Sequence, residues 1–231
     1  WLRALLSSYF YSTNGEFKEH LLKKIDQFPT KKYFRKFKFD QNKIGDTCQY
    51  WIKAQEEINK EKKIKFFKTH NAFGKINNYD FTNKENSLGC IYIVRDPRNV
   101  ITSVKNHFSR DDYDDAFQFL TNEKQSIGSR NNKEDKDLPT VVSSWSNHYN
   151  SWKKMEKNYL LIKYENLINN TFEEFSKIVH YLNENLKIKF DINEINNAIK
   201  KCDFNNLKKL EKENGFKESA KDKSGNIKKF F

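Results

Sequence analysis

One stretch constrains the chain more than any other: the apolar run at residues 89–94 (GCIYIV), followed directly by Arg95-Asp96-Pro97. A continuous apolar run of this length, rich in β-branched and aromatic residues, predicts a strand covered on both faces, as in the middle of a parallel sheet. The next residues end it. Asp caps a helix and Pro suits the first helical position, so a helix is expected to run to about residue 108. Arg95 then stands at the carboxyl end of a central strand, where open α/β sheets bind their ligands. Its planar fork of donors suits phosphate oxygens. Ser103 follows eight residues later, a little over two helical turns on, and brings a hydroxyl toward the same anion. The sequence alone leaves a second reading open, in which Arg95 pairs with a carboxylate of its helix and Ser103 merely faces a loop.

The remaining chain alternates helical and strand-like segments. Helices are expected at 1–11, 16–28, 49–59, 111–120, 140–157, 171–183, 193–201 and 204–213, and strands at 64–69 (IKFFKT) and 159–163 (YLLIK). Residues 74–88 and 125–137 are polar and read as loops. The 140–157 segment carries Val141, Trp145, His148, Tyr149 and Trp152 at helical spacing. Strands alternating with helices indicate an α/β fold, a parallel sheet flanked by helices. The length of 231 residues suits a single domain. With 20 Phe, 11 Tyr and 4 Trp, the chain has the aromatic mass for a core despite its many Lys and Asn residues.

Charge and cysteine usage narrow the chemistry. The formal net charge is +12, which favours anionic partners such as nucleotides. The lysines are spread along the whole chain, and no compact basic block marks a nucleic-acid arm, so no nucleic-acid partner is expected. The three cysteines, Cys48, Cys90 and Cys202, are odd in number and lack a C-x-x-C pair, so neither a disulfide framework nor a metal site is expected. Reduced thiols fit a cytoplasmic setting. There is no 18-residue apolar run to span a membrane. No G-x-x-x-x-G-K-[ST] or G-x-G-x-x-G loop occurs among the seven glycines.

Three strand ends deserve scrutiny: Lys68–His70, Arg95 and Tyr164. His70 is placed to act as a general base near neutral pH, and Lys68 to stabilise negative charge on a transferring group. Against this stands the reading of Lys68-Thr69-His70 as a solvated surface loop. His20, His107, His148 and His180 compete as bases, but none lies at a strand end. His148, on the packed face of the Trp145/Trp152 helix, reads as structural.

Together these segments resemble the cytosolic-type sulfotransferases, which use 3′-phosphoadenosine-5′-phosphosulfate (PAPS). The resemblance rests on Lys68-Thr69-His70, on Ile91-Tyr92-Ile93-Val94-Arg95-Asp96-Pro97-Arg98-Asn99 with Ser103, on Ser144-Trp145 with Trp152, and on Ile162-Lys163-Tyr164-Glu165-Asn166-Leu167. It extends over roughly residues 1 to 216, and the R-D-P-R-N…S segment is its most specific part. It implies the three-layer sulfotransferase fold related to the P-loop NTPases. It also implies sulfonate transfer from PAPS to a hydroxyl or amine of a small-molecule acceptor, with PAP as product and no metal.

The same resemblance implies individual roles. Arg95 and Ser103 bind the 3′-phosphate, Trp1 stacks on the adenine, and Tyr164 contacts the adenine side of the cofactor. Phe204 lies where the family places an aromatic on the other adenine face. Cys202 occupies a position that often carries Thr or Ser, which puts a hydroxyl contact there in doubt. His70 is the general base and Lys68 contacts the sulfonate in flight. Phe73, Phe108 and Val141 are expected from position to line the acceptor pocket, with loops 74–88 and 121–138 as its gates. A homodimer is an open expectation.

Two family segments are missing from the sequence: the P-K-S-G-[TN]-T-like phosphosulfate loop expected before Trp1, and the R-K-G-x-x-G-x-W-K segment expected after Phe231. The chain is therefore expected to be one sulfotransferase domain truncated at both ends, and poorly active by itself. Two other readings remain. A kinase of P-loop type would need a G-K-[ST] loop and a Mg²⁺-holding Asp after a strand. A non-enzymatic basic binding module would show an exposed aromatic-basic patch.

Overall fold

The computed structural model describes residues 1–13, 17–40, 43–110, 112–128, 137–188, 190–216, 219, 226 and 228. In chain order, α1 is Leu2–Tyr11, β1 Asp26–Gln27, α2 Ile44–Cys48, α3 Trp51–Asn59, β2 Phe67–Lys68, β3 Lys75–Ile76, β4 Tyr79–Asp80 and β5 Cys90–Val94. Next come α4 Pro97–His107, α5 Tyr113–Thr121, β6 Ser126–Ile127, β7 Thr140–Val141 and α6 Trp145–Trp152. The chain closes with β8 Tyr159–Lys163, α7 Tyr164–Asn169, α8 Thr171–Leu186, α9 Ile192–Lys201 and α10 Phe204–Asn214. The described strands form four two-stranded ladders, β1–β2, β3–β4, β5–β8 and β6–β7. Of these, β3–β4 and β6–β7 are antiparallel, while β5 and β8 supply the parallel element of the α/β fold.

The chain gathers into two compact units. The first, of residues 1–26, 95–117 and 162–231, is helical. Its core follows from helix periodicity. In α8, Phe175, Ile178, Val179 and Leu182 fall at i, i+3, i+4 and i+7, and all four are buried. Leu5 of α1, Ile195 and Ala198 of α9 and Leu207 of α10 are buried in the same unit. Each large apolar side chain fully buried in this way contributes about 1.5–3 kcal/mol. The helix starts are written locally. Asp191 accepts hydrogen bonds from the Asn193 and Glu194 amides, and Asp203 from those of Asn205 and Asn206, satisfying donors that a helix cannot pair internally.

The second unit, of residues 27–94 and 118–161, is built on aromatics. Phe28, Phe34, Trp51, Phe81, Leu138 and Trp152 form its buried centre. Trp51 meets Phe81 edge to face, with ring centroids 5.2 Å apart and planes at 82°, the geometry that aromatic quadrupoles favour. Trp51 is wholly buried. Trp51→Ala is expected to cost about 3–5 kcal/mol, measured as a drop in the denaturant midpoint at constant slope.

Several segments differ from expectation. The 89–94 run is a strand, but Cys90, Ile91, Tyr92 and Val94 are only half-buried and Ile93 is 38% exposed. Among the described residues β5 has one paired neighbour, so it is an edge strand and not a covered central one. The expected strand at 64–69 shortens to Phe67–Lys68, because Ile64 stands 49% exposed between lysines. The expected helix at 16–28 is a short 3-10 helix at Glu19–Lys24 followed by β1, and Pro29 restricts the residue before it to extended backbone. The long helix at 140–157 begins only at Trp145. β-branched Thr140 and Val141 pair with β6 instead, and the Ser144 hydroxyl caps the helix by accepting from the Asn147 amide at 3.3 Å. Within the loop at 74–88, β3 and β4 form a hairpin whose Asn77 and Asn78 both take positive φ, 49° and 66°, as a two-residue hairpin turn requires. The short helix α7 was not expected. Residues 129–136 of the expected loop at 125–137 lie outside the described residues, as does most of 217–231.

Candidate nucleotide grip and acceptor-side site

The first candidate lies in the helical unit. Asp96 caps α4, its carboxylate accepting from the Arg98 amide at 2.9 Å, with Pro97 in the first turn. The same carboxylate takes the Arg98 guanidinium, at 3.0 and 3.1 Å from Nε and 2.5 Å from Nη2. This pairing with Arg98 holds the Asp96 carboxyl down at about 2. The Asp96 amide donates to Glu165 Oε1 of α7 at 2.9 Å. The acidic groups around Arg95 are thus engaged elsewhere. Among the described residues Arg95 forms no ion pair; its Nη1 donates to Ser103 Oγ at 3.1 Å, and its guanidinium lies 4.7 Å above the Tyr164 ring. Ser103 Oγ donates in turn to the Asn99 carbonyl at 3.4 Å. The reading in which Arg95 neutralises a carboxylate of its own helix does not hold, because that carboxylate belongs to Arg98.

A half-buried arginine whose guanidinium is held over an aromatic ring, with a hydroxyl beside it, is oriented before any ligand arrives. Its remaining donors are spaced to meet two oxygens of one anion. Arg95, Ser103 and Tyr164 therefore come together as the sequence suggested.

A second group in the same unit joins Trp1, Cys202 and Phe204. The Trp1 and Phe204 rings are 4.7 Å apart between centroids and tilted by 35°, and Trp1 Nε1 donates to the Cys202 carbonyl at 2.7 Å. Asp203 caps α10 and so places Phe204 as its first residue. The rings touch each other, and an adenine held between them would need one such contact on each face, so the pair must part to admit it. Cys202 offers its carbonyl and not its sulfur. The thiol is fully buried, and that burial pushes it up to about 12.

The other candidate lies in the aromatic unit. Lys68 sits on β2, its carbonyl accepting from the Phe28 amide at 2.9 Å. His70 follows two residues later and is exposed. Its neighbour Asn71, which sequence reasoning missed, is 2% exposed and ties the segment down. Asn71 Oδ1 accepts from the Val141 amide at 3.0 Å, Nδ2 donates to the Ala72 carbonyl at 2.7 Å, and the Asn71 carbonyl accepts from Trp152 Nε1 at 3.0 Å. The available signal was an amide residue two places after a threonine: the Asn71 amide donates to Thr69 Oγ1 at 3.0 Å, a side-chain turn.

Beside this segment a cavity of about 330 Å³ opens. Phe73 and Val141 line it, together with Asn147, Asn150, Ser151 and Lys154 from α6 and the turn after it. Its volume is at the lower end for small-molecule pockets. Phe108 is not among its lining residues; it caps α4 in the helical unit, 39% exposed. His148 is half-buried, and its partial withdrawal from water lowers its pKa, keeping the ring neutral at pH 7. Burial likewise pushes the Cys90 thiol up to about 12, so neither Cys90 nor Cys202 is a thiolate nucleophile at neutral pH. Among the described residues no group of His, Cys, Asp and Glu could hold a metal ion, and no helix is long and apolar enough to cross a membrane.

A family model described as the sulfotransferase domain matches residues 1–231. Among solved structures, the chain is similar to mouse sulfotransferase SULT7A1 complexed with PAP, at 22% identity and a TM-score of 0.47, over 66% of this chain and 50% of that one. The chain thus spans about half the length of that protein. No curated protein sequence matches it. The family match takes in both candidate sites, Arg95 with Ser103 and Tyr164 as well as Lys68 with His70, and it extends over the whole α/β chain: this protein belongs to the sulfotransferase domain family.

Proposed function

We propose that the protein transfers a sulfonate group from PAPS to a hydroxyl or amine of a small-molecule acceptor, with His70 as general base. The observation that carries this reading is Arg95, unpaired with any carboxylate among the described residues and pre-set by Ser103 and Tyr164. Arg95 and Ser103 hold the 3′-phosphate, which distinguishes this nucleotide from ordinary adenosine phosphates. Trp1, Phe204 and Tyr164 supply aromatic faces for the adenine. His70 takes the acceptor proton as the new bond to sulfur forms and the bond from sulfur to the 5′-phosphate oxygen breaks. Lys68 stabilises the charge on the sulfonate in transit, where a fixed cation acts most strongly. PAP leaves with the electron pair of the broken bond on its 5′-phosphate, and the proton stays with His70 until solvent removes it. The donor supplies the activated sulfonate, and no metal is needed. The cavity lined by Phe73 and Val141 receives the acceptor.

Isothermal calorimetry on the full-length gene product tests the reading. PAP is expected to bind with one-to-one stoichiometry and adenosine 5′-phosphate far more weakly. A panel of alcohols, phenols and amines is then expected to yield a sulfonated product from PAPS. No measurable heat with PAP, or equal affinity for the two nucleotides, overturns the nucleotide assignment.

A further inference from the structure

The imidazole of His148 has two neighbours that together decide where its proton sits. Nδ1 is 2.8 Å from the Tyr92 hydroxyl, and Nε2 is 3.3 Å from the backbone carbonyl of His70. A carbonyl only accepts, so Nε2 must carry the hydrogen. In a neutral ring Nδ1 is then the acceptor, and Tyr92 donates to it. The opposite tautomer would set the Nε2 lone pair against the carbonyl lone pairs. Burial supports both halves of this arrangement: it keeps His148 uncharged, and it pushes the Tyr92 hydroxyl up, so Tyr92 keeps its proton. Tyr92 is itself seated on β5, with its ring 6.0 Å from those of Tyr149 and Tyr159.

His148 does not act on this segment alone. Its own carbonyl accepts from Ser151 Oγ at 2.7 Å, and that oxygen accepts from the Phe73 amide at 3.0 Å. Trp152 Nε1 donates to the Asn71 carbonyl. Residues 148, 151 and 152 stand at i, i+3 and i+4, one face of α6. That face holds residues 70, 71 and 73 of the opposing segment through three separate side chains. Of the three, only His148 reaches the residue that carries the proposed base.

We propose that Tyr92 and His148 are positioning residues for His70: the Tyr92 hydroxyl fixes His148 as its Nε2–H tautomer, and that N–H holds the His70 backbone where its side chain can take the acceptor proton. The inference rests on the reading of His70 as the base. General-base catalysis needs the base within hydrogen-bond reach of its proton, and a displacement of about 1 Å can cost on the order of 10²-fold in rate.

The test uses the full-length protein and four variants, His148→Leu, His148→Gln, Tyr92→Phe and His70→Ala. His148→Leu is expected to lower kcat by about 10–100-fold with KM for acceptor and the PAP titration unchanged. Glutamine can place an amide N–H where Nε2 stood, so His148→Gln is expected to restore most of the loss. In the His70→Ala background, His148→Leu is expected to add nothing, since a residue acting only through His70 has no route left. Long-range ¹H–¹⁵N spectra of the wild-type protein are expected to show His148 protonated at Nε2, and Tyr92→Phe is expected to shift the Nδ1 resonance with the fold intact. This readout holds even where His148→Leu fails to fold. Wild-type kcat in His148→Leu, a loss that multiplies with that of His70→Ala, or an Nδ1–H tautomer in the wild type each overturns the positioning role. Unchanged turnover in His70→Ala alone overturns the base assignment beneath it.

Discussion

His70→Ala is expected to lower turnover by about 10²–10⁴-fold, the contribution usual for a positioned general base, while PAP binds as tightly as before. The separation follows from where the groups lie. Arg95, Ser103, Tyr164, Trp1 and Phe204 belong to one compact unit, and His70 to the other. The contacts that set Arg95, its hydrogen bond to Ser103 and its seat over Tyr164, do not involve the imidazole. Single-turnover measurement with preformed enzyme and PAPS isolates the chemical step, and calorimetry with PAP reads the nucleotide site alone. A loss confined to PAP affinity, with the chemical step intact, would reassign His70 to binding. The exposure of His70 makes large structural damage from its truncation unexpected, since surface substitutions away from caps and buried networks usually stay within about 0.5 kcal/mol.

Arg95→Ala carries the second large effect. A guanidinium bound to a phosphate supplies charge-assisted hydrogen bonds of about 1.5–3 kcal/mol, so PAP affinity is expected to fall by about 10–100-fold. Adenosine 5′-phosphate, which lacks the 3′-phosphate, is expected to lose little. Paired calorimetric titrations of the two nucleotides give the ratio directly, and equal losses would show that Arg95 does not read the 3′-phosphate. Arg95→Lys is expected to recover only part of the affinity. An ammonium keeps the charge but loses the planar fork whose central carbon lies 4.7 Å from the centre of the Tyr164 ring.

The sequence made some of this legible and hid the rest for physical reasons. The strand at 90–94 and the helix after it could be read because their signals are local: an apolar run, then Asp-Pro in the order a helix start requires. The burial of β5 could not, because coverage of a strand depends on what packs against it and not on its own residues. The partnership of Arg95 with Ser103 was readable from spacing, but the absence of a carboxylate partner for Arg95 among the described residues was not. That fact depends on Arg98 capturing Asp96, and on Glu165, far along the chain, taking the Asp96 amide. The helix at 140–157 was overextended because the periodicity of its aromatics continues into Val141, which is in fact a strand residue whose amide binds Asn71. The tie between His148 and His70 joins residues 78 apart through a backbone carbonyl, and a carbonyl leaves no mark on the amino-acid code.

The helix α6 has a consequence for how such a protein can change its acceptor. Its residues 148, 151 and 152 grip the His70 segment, while Asn147, Asn150 and Ser151 line the neighbouring cavity. On the proposed reading, one short rod is thus a common mount for the proposed base and for the wall that an acceptor would meet. Side chains at 147 and 150 can be exchanged to reshape that wall without loosening the mount. A single inserted residue cannot, because it turns everything after it by about 100°, and the cavity wall and the grip on the His70 segment would lose their alignment together. Retargeting by substitution is open to this architecture, whereas retargeting by changing the length of α6 is closed.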